Sequence, residues 1–175
     1  MNLPNKLTIG RMLAVPVFVA VLLNGYYYAS AVIFILAALT DAADGMIARK
    51  YNLVTNFGKI MDPLADKLLV MSAFVCLVGL GHLQAWMVIV ILAREFAVTG
   101  LRIAAAAEGT VIAADLTGKI KTVLQMAAAI ALLIENQAPF DAIGFPFARI
   151  ILWAALILTV VSGIEYIVKN KRFFK

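Results

Sequence analysis

The stretch DAADGMIARKYNLVTNFGKIMDPLAD carries four aspartates, Asp41, Asp44, Asp62 and Asp66. Clustered carboxylates repel one another unless cations or protons intervene. Hard oxygen ligands favour Mg²⁺, Mn²⁺ or Ca²⁺, and the absence of Cys and His from the stretch argues against zinc. Two such cations about 4 Å apart commonly clamp a phosphate that is undergoing displacement. The cluster therefore predicts a two-metal site for phosphate chemistry.

The spacing of the aspartates fits two facing helices. At about 100° per residue, a helix over residues 41–49 places four residues on one face: Asp41, Asp44, Gly45 and Ala48. Asp62 and Asp66 are one turn apart at the start of the next predicted helix, with Gly58 one turn earlier. Small residues on these faces would let a bulky ligand approach the backbone, and the neighbouring Arg49 could pair with its phosphate.

A different interpretation of the aspartates is an interfacial salt network with the nearby bases, Arg49, Lys50, Lys59 and Lys67. Such a network would explain the charge balance but not the shared stripe of small residues. Acids at the edge of a membrane are functional candidates by default, and we favour the functional interpretation.

The elements that must position these residues are membrane helices. The chain has 175 residues, of which 64% are hydrophobic and 14% charged, and its mean hydropathy is +0.98. Apolar runs of roughly 20 residues can cross a bilayer. We predict one all-α, polytopic membrane domain over residues 1–175, with six transmembrane helices near residues 8–24, 29–50, 60–80, 84–107, 117–135 and 146–168. A short amphipathic stub at the N-terminus could lie at the interface, or it could be the start of the first helix.

The distribution of basic residues predicts the orientation. All of the 15 Lys and Arg residues except Arg94 and Arg149 fall on one side of the six predicted spans. The positive-inside rule then places both termini in the cytoplasm, with the aspartates at the cytoplasmic face. The net charge of +5 is explained by topology and anionic lipid, and no nucleic-acid motif is visible.

The pattern Asp41-x-x-Asp44-Gly45-x-x-Ala48-Arg49, followed by Gly58-x-x-x-Asp62-x-x-x-Asp66, resembles the signature of the CDP-alcohol phosphotransferases. All eight signature positions are present at the family spacing. The resemblance implies six transmembrane helices, a homodimer, and an alcohol that displaces CMP from a CDP-linked lipid with Mg²⁺ or Mn²⁺. It also implies that the four aspartates bind metal, that Asp66 is the general base, and that four residues line the CDP site: Gly45, Ala48, Arg49 and Gly58.

Three further segments, NLPNKLTIGR, AREFAVTGLR and GKIKT, resemble the bacterial members of this family that use glycerol 3-phosphate. The implied reaction, in the bacterial cytoplasmic membrane, converts CDP-diacylglycerol and sn-glycerol 3-phosphate into phosphatidylglycerophosphate and CMP. Within the first segment, Asn5, Thr8 and Arg11 are expected near the nucleotide or acceptor, with a lipid headgroup contact as the alternative.

The acceptor carries a dianionic phosphate, which needs a cationic pocket. Arg94 and Arg102 are eight residues apart, on roughly one face of the fourth span, and Lys119 and Lys121 begin the fifth. We predict that these four residues include the phosphate anchors. For the lysines the alternative is ordinary positive-inside charge, and for Arg94 it is a salt bridge with Glu95 or an aspartate.

Two rival functions remain open at this point. The signature alone also fits cardiolipin, phosphatidylserine and phosphatidylinositol-phosphate synthases, although the basic set favours a phosphorylated acceptor over serine. A divalent-cation transporter would need acids near the midplane that are accessible from both sides, whereas these aspartates cluster toward one end.

Overall fold

A computed structural model describes residues 3–50, 56–110, 112, 116–135, 137–140 and 145–170, and within them the side chains of 3–4, 41–50, 56–60, 62–63 and 66 are outside the description. The described residues form six α-helices and no strand. The helices are α1 (Leu3–Leu23), α2 (Tyr27–Lys50), α3 (Asn56–Gly79), α4 (Ala85–Ala107), α5 (Leu116–Ile134) and α6 (Phe147–Lys169). The predicted all-α class and the six helices are confirmed.

The N-terminal residues form the first turns of α1, which runs without interruption from Leu3. Asn5, Thr8 and Arg11 are 9%, 1% and 2% exposed, so the polar face of these turns is buried in the bundle. This burial explains why the helix begins at Leu3 rather than at residue 8, and it favours the start of the first helix over a separate stub.

Within the described residues, three helices are long and apolar enough to cross a membrane, over Asn5–Leu23, Leu116–Ile134 and Phe147–Lys169. Tyr27–Thr40 and Lys67–Gly79 are shorter apolar helices. The apolar character of these segments supports a membrane protein. Six complete spans and the cytoplasmic position of the termini stay predictions.

Successive helices run in alternating directions. Contacts at one end of the bundle show this arrangement. The Tyr27 hydroxyl lies 3.2 Å from Nε2 of the half-buried His82, and the Tyr28 hydroxyl donates to the carbonyl of Ala138. These contacts join the start of α2 to the α3–α4 and α5–α6 connections. The C-terminal ends of α2, α4 and α6 therefore lie at the opposite end of the bundle, with the starts of α3 and α5.

The apolar core holds the helices in this arrangement. Phe18, Phe34 and Phe74, from α1, α2 and α3, are fully buried, and the rings of the first two are 5.8 Å apart. Helix α1 packs on α2 and α3, α5 packs on α6 and α2, and α4 packs on α6. This packing brings α3, α4, α5 and α6 together around the residues described next.

Candidate active site

The predicted metal ligands lie on the two helix ends where the sequence placed them. Asp41 and Asp44 belong to the last turns of α2, and Asp62 and Asp66 to the first turns of α3. Their side chains, and those of the predicted CDP-site residues Gly45, Ala48, Arg49 and Gly58, fall outside the described part of the structure. Among the side chains that are described, no group of three His, Cys, Asp or Glu could hold a metal.

A cavity of about 450 Å³ opens between α3, α4, α5 and α6. Ala38, one turn before Asp41, and Lys67, immediately after Asp66, lie on its wall, so it adjoins the helical segments that carry the aspartates. All four predicted phosphate anchors line it: Arg94, Arg102, Lys119 and Lys121. The tertiary structure thus brings together residues that the sequence only grouped by charge.

Glu95 is the centre of the charged cluster in this cavity. It is 7% exposed, its carboxylate contacts Lys121 Nζ, and it lies 3.2 Å from Arg94 Nη1 and 3.6 Å from Lys67 Nζ. A buried carboxylate is stable only when it is paired, and here three cations share it. Glu95 therefore fixes the relative positions of cations from α3, α4 and α5.

Arg94 lines the cavity and forms the salt bridge with Glu95 that was the alternative to phosphate binding. Besides its salt bridge with Glu95, its Nη2 donates to Ser162 Oγ on α6 at 3.1 Å. Ser162 donates to the carbonyl of Thr159 at 3.2 Å, and Gln125 of α5 donates to the Thr159 hydroxyl at 3.0 Å. The guanidinium is thus held by a polar network across three helices. Arg94 thus lines the same cavity as basic residues of the predicted cytoplasmic side, although its position in the sequence had set it apart from them.

Arg102 is held by an aromatic side chain of α6. Its Nε donates to the Tyr166 hydroxyl at 3.0 Å, and its guanidinium carbon lies 5.6 Å from the centre of the Tyr166 ring. An Arg has five N–H donors, and this contact uses one of them. The guanidinium can therefore bind an anion in the cavity without giving up its hydrogen bond to Tyr166.

The two lysines of α5 have different environments. Lys121 is 2% exposed and lies against Glu95, whereas Lys119 is exposed at the rim of the cavity. The exposure of Lys119 fits the alternative of ordinary positive-inside charge, although the residue lines the cavity. Lys121 is a buried ion-pair partner, so charge topology alone does not account for it.

Asn5, Thr8 and Arg11 do not line the described cavity. All three are buried on α1, and each has an interaction partner within the chain. Their predicted substrate contact, near the nucleotide or the acceptor, therefore stays a prediction that the cavity does not support.

The sequence did not single out Gln125, Ser162 and Tyr166. It named Lys67 only as a possible salt-bridge partner of the aspartates, and Glu95 only as a possible partner of Arg94. A signal for part of this set is present on α6. Thr159, Ser162, Gly163 and Tyr166 recur at intervals of three and four residues in an otherwise apolar helix, and all four are buried. Such a stripe of small and polar residues predicts a helix face that packs against polar partners.

Gly163 provides the space for the Arg94 side chain. A Cβ at position 163 would lie 2.8 Å from Arg94 Cγ, which is too close for the neighbour to stay in place. Gly163 thus serves the contact between α4 and α6 within one chain.

We expect Gly163→Ala to displace Arg94, to lower Tm because overpacking costs about 1–3 kcal/mol, and to raise the KM for the acceptor several-fold. Gly100→Ala on α4 is the matched control, because its Cβ would meet no atom within 4 Å. The measurements are Tm in detergent and acceptor KM. Equal values for the two variants would show that Gly163 is not needed to place Arg94.

Comparisons with known proteins give a consistent result. A family model described as CDP-alcohol phosphatidyltransferase matches residues 1–161. A Bacillus subtilis (strain 168) protein named CDP-diacylglycerol–glycerol-3-phosphate 3-phosphatidyltransferase is 50% identical over 184 residues, covering 97% of this chain and 95% of that protein.

Two more distant relatives carry related names. A Rickettsia felis protein with the same name as the Bacillus one is 39% identical over 180 residues, which cover 99% of this chain and 97% of that protein. A Mycobacterium tuberculosis (strain H37Rv) protein named "Probable phosphatidylglycerophosphate synthase" is 41% identical over 177 residues, which cover 98% of this chain and 82% of that protein.

Proposed function

The chain belongs to the CDP-alcohol phosphatidyltransferase family, and we propose that it transfers the phosphatidyl group of CDP-diacylglycerol to sn-glycerol 3-phosphate. The products are phosphatidylglycerophosphate and CMP, so the protein is a transferase of phospholipid biosynthesis. The names of relatives at 39–50% identity over nearly the whole chain support this reaction.

The observation that carries the proposal is the cationic cavity beside the aspartate-bearing ends of α2 and α3. Five basic side chains line it: Lys67, Arg94, Arg102, Lys119 and Lys121. Glu95 offsets part of their charge, and the remaining excess suits a phosphate dianion, which forms strong charge-assisted hydrogen bonds with Arg and Lys. Serine would present no phosphate to this cluster, so the cavity supports a phosphorylated acceptor.

The family is generally dependent on divalent metal, and the donor set here fits such a cation. Four carboxylates on neighbouring helix ends, with no sulfur or imidazole among them, suit Mg²⁺ or Mn²⁺. We assign Asp41, Asp44, Asp62 and Asp66 as the ligands of a two-metal site. When bound, the cations would neutralise the pyrophosphate and the charge that develops during transfer.

The residues of the chain have the following roles in the proposed reaction. Asp66 accepts the proton of the primary hydroxyl of glycerol 3-phosphate. The freed oxygen forms a bond to the lipid-bearing β-phosphorus of CDP-diacylglycerol, the bond from that phosphorus to the CMP oxygen breaks, and CMP leaves with the electron pair. The basic side chains of the cavity hold the acceptor phosphate. The attack therefore takes place between two reactants that are already bound side by side.

The remaining assignments concern the nucleotide and the membrane. Gly45, Ala48, Arg49 and Gly58 would line the CDP site, because small residues admit the ligand and Arg49 can pair with phosphate. The protein would be a homodimer in the bacterial cytoplasmic membrane, with both termini and the active site at the cytoplasmic face. Helices long and apolar enough to cross a bilayer, of which the described part of the chain contains three, support the membrane location.

The test uses purified protein in detergent with CDP-diacylglycerol, labelled glycerol 3-phosphate and Mg²⁺. We expect labelled lipid and CMP in equal amounts. CMP release with serine, inositol phosphate or phosphatidylglycerol, and none with glycerol 3-phosphate, would keep the family and change the acceptor. No product with any acceptor would contradict the transferase assignment and favour cation transport.

The acceptor pocket gives a second expected result. Arg94→Ala should raise the KM for glycerol 3-phosphate by about 10- to 100-fold, the loss expected for hydrogen bonds to a charged group. Lys119→Ala should raise it by no more than about threefold, since exposed charges are screened. Arg149→Ala, at an exposed site near the other end of the bundle, is the control. An unchanged KM in both cavity variants would place the acceptor elsewhere.

A further inference from the structure

Lys67 differs from the other cations of the cavity in the helix that carries it. Arg94 and Arg102 belong to α4 and Lys121 to α5, whereas Lys67 lies on α3, immediately after Asp66. By sequence it is one of many basic residues on the predicted cytoplasmic side. In the folded chain it lines the cavity, which places a cation on the helix that bears the proposed general base.

The ammonium of Lys67 is oriented by one hydrogen bond and one ion pair to side chains of α4. It donates to Thr99 Oγ1, and it lies 3.6 Å from Glu95 Oε2. A lysine has three N–H donors, and the described residues show no further hydrogen-bond partner for this one. The group is therefore held at the wall of the cavity with bonding capacity to spare.

Lys67 and Lys121 share Glu95 but differ in access. The Lys67 side chain is 34% exposed and that of Lys121 is 3% exposed. The 3.6 Å separation between Lys67 and the carboxylate exceeds a normal hydrogen bond, whereas Lys121 is in close contact with it. A ligand anion can therefore reach the Lys67 ammonium without uncovering a buried charge, while Lys121 is committed to Glu95.

The simpler interpretation is that Lys67 only stabilises the packing of α3 against α4. Its distance from Glu95 and its exposure argue against a large contribution of that kind, because partly exposed ion pairs contribute little to stability. A purely structural contact also gives no reason for the ammonium to line a cavity with four other basic side chains, two from α4 and two from the start of α5.

We propose that Lys67 binds the phosphate of the acceptor and determines the preference for a phosphorylated over an unphosphorylated alcohol. This inference rests on the proposed function. Since Asp66 and Lys67 are consecutive, one helix would both fix the phosphate and carry the base. An acceptor without a phosphate would lose this placement, and with it much of the advantage of a held reactant.

The experiment compares Lys67→Gln, Lys67→Arg and native protein with glycerol 3-phosphate and with glycerol. We expect Lys67→Gln to lower kcat/KM for glycerol 3-phosphate by about 10- to 100-fold, to lower the rate with glycerol far less, and to keep the KM for CDP-diacylglycerol within about twofold. Lys67→Arg, which retains the charge, should restore most of the activity. If Lys67 only stabilised helix packing, Lys67→Gln would instead lower the rates with both acceptors alike.

Equilibrium binding provides a readout that does not need turnover. Glycerol 3-phosphate raises Tm of a protein that binds it, and Lys67→Gln should need about 10- to 100-fold more ligand for the same rise. Thr99→Val, which removes an anchor of Lys67 and no charge, should give a smaller change in the same direction. Lys169→Gln is the control, since Lys169 pairs with Glu165 outside the cavity.

The outcomes separate this inference from the function on which it rests. If native protein uses glycerol 3-phosphate and Lys67→Gln has the native KM and the native ligand-induced rise in Tm, Lys67 is not a phosphate ligand. If native protein neither uses nor binds glycerol 3-phosphate, the proposed function fails first and this inference fails with it.

Discussion

Replacing Asp66 by Asn is expected to lower kcat by at least about 1,000-fold, within the range that a general base contributes. The amide has nearly the same shape as the carboxylate, but it cannot take the proton of the acceptor hydroxyl and supplies no negative charge to a cation. CMP release and labelled lipid should fall together, because one step produces both. The measurement is the initial rate at saturating CDP-diacylglycerol and glycerol 3-phosphate.

Asp141→Asn makes the same chemical change in the connection predicted to lie on the opposite side of the membrane. It should retain the native rate within about twofold, a change far smaller than loss of a base would cause. An Asp66→Asn variant that keeps more than a tenth of the native rate would exclude Asp66 as the base. Binding of Mn²⁺, followed by its paramagnetic resonance signal, distinguishes a metal ligand from a general base. Asp66→Asn should weaken Mn²⁺ binding if Asp66 is a metal ligand, and should leave it unchanged if Asp66 is only the base.

Replacing Glu95 by Gln is expected to destabilise the fold by about 3–5 kcal/mol, the usual result of removing one partner from a buried ion pair. Lys121 is 2% exposed, and Arg94 also depends on this carboxylate. Without it, like charges from α3, α4 and α5 would face one another with no shared counter-ion. The expected fall in Tm is roughly 6–20 °C for a chain of this size.

Two comparisons make the result specific to the charged cluster. Glu165→Gln removes a carboxylate from an exposed pair with Lys169, and it should leave Tm nearly unchanged. Combining Glu95→Gln with Lys121→Met should recover part of the lost stability, because the double variant removes a buried cation together with its partner. If Glu95→Gln behaves like Glu165→Gln, Glu95 does not hold the cations together.

The helices could be predicted because their signals are local. Apolar runs of the right length identified all six, and the largest error in a boundary was at the start of α1, where Leu3 replaces residue 8. That error has a tertiary cause. Asn5, Thr8 and Arg11 look like interfacial residues by type, and burial against neighbouring helices is what extends α1 through them.

For the site, too, the sequence predicted the features that depend on spacing within one helix. Spacing within one helix was enough to group Asp41 with Asp44, Asp62 with Asp66, and Arg94 with Arg102, because residues three, four or eight positions apart share a face wherever the helix lies. The choice of a hard cation and a phosphate substrate also followed from residue types alone. These inferences need no knowledge of which helices touch.

The tertiary structure decided which faces meet. Glu95 joins cations from α3, α4 and α5, Tyr166 of α6 holds Arg102, and Gly163 gives Arg94 room. Apart from the adjacent Arg94 and Glu95, no spacing in the sequence relates these residues, since helix packing sets contacts between positions that are 26 to 69 residues apart. The sequence by itself determined the helices and the kind of chemistry, because both depend on neighbouring residues. The membership of the acceptor pocket depends on helix packing, and only the folded chain specifies it.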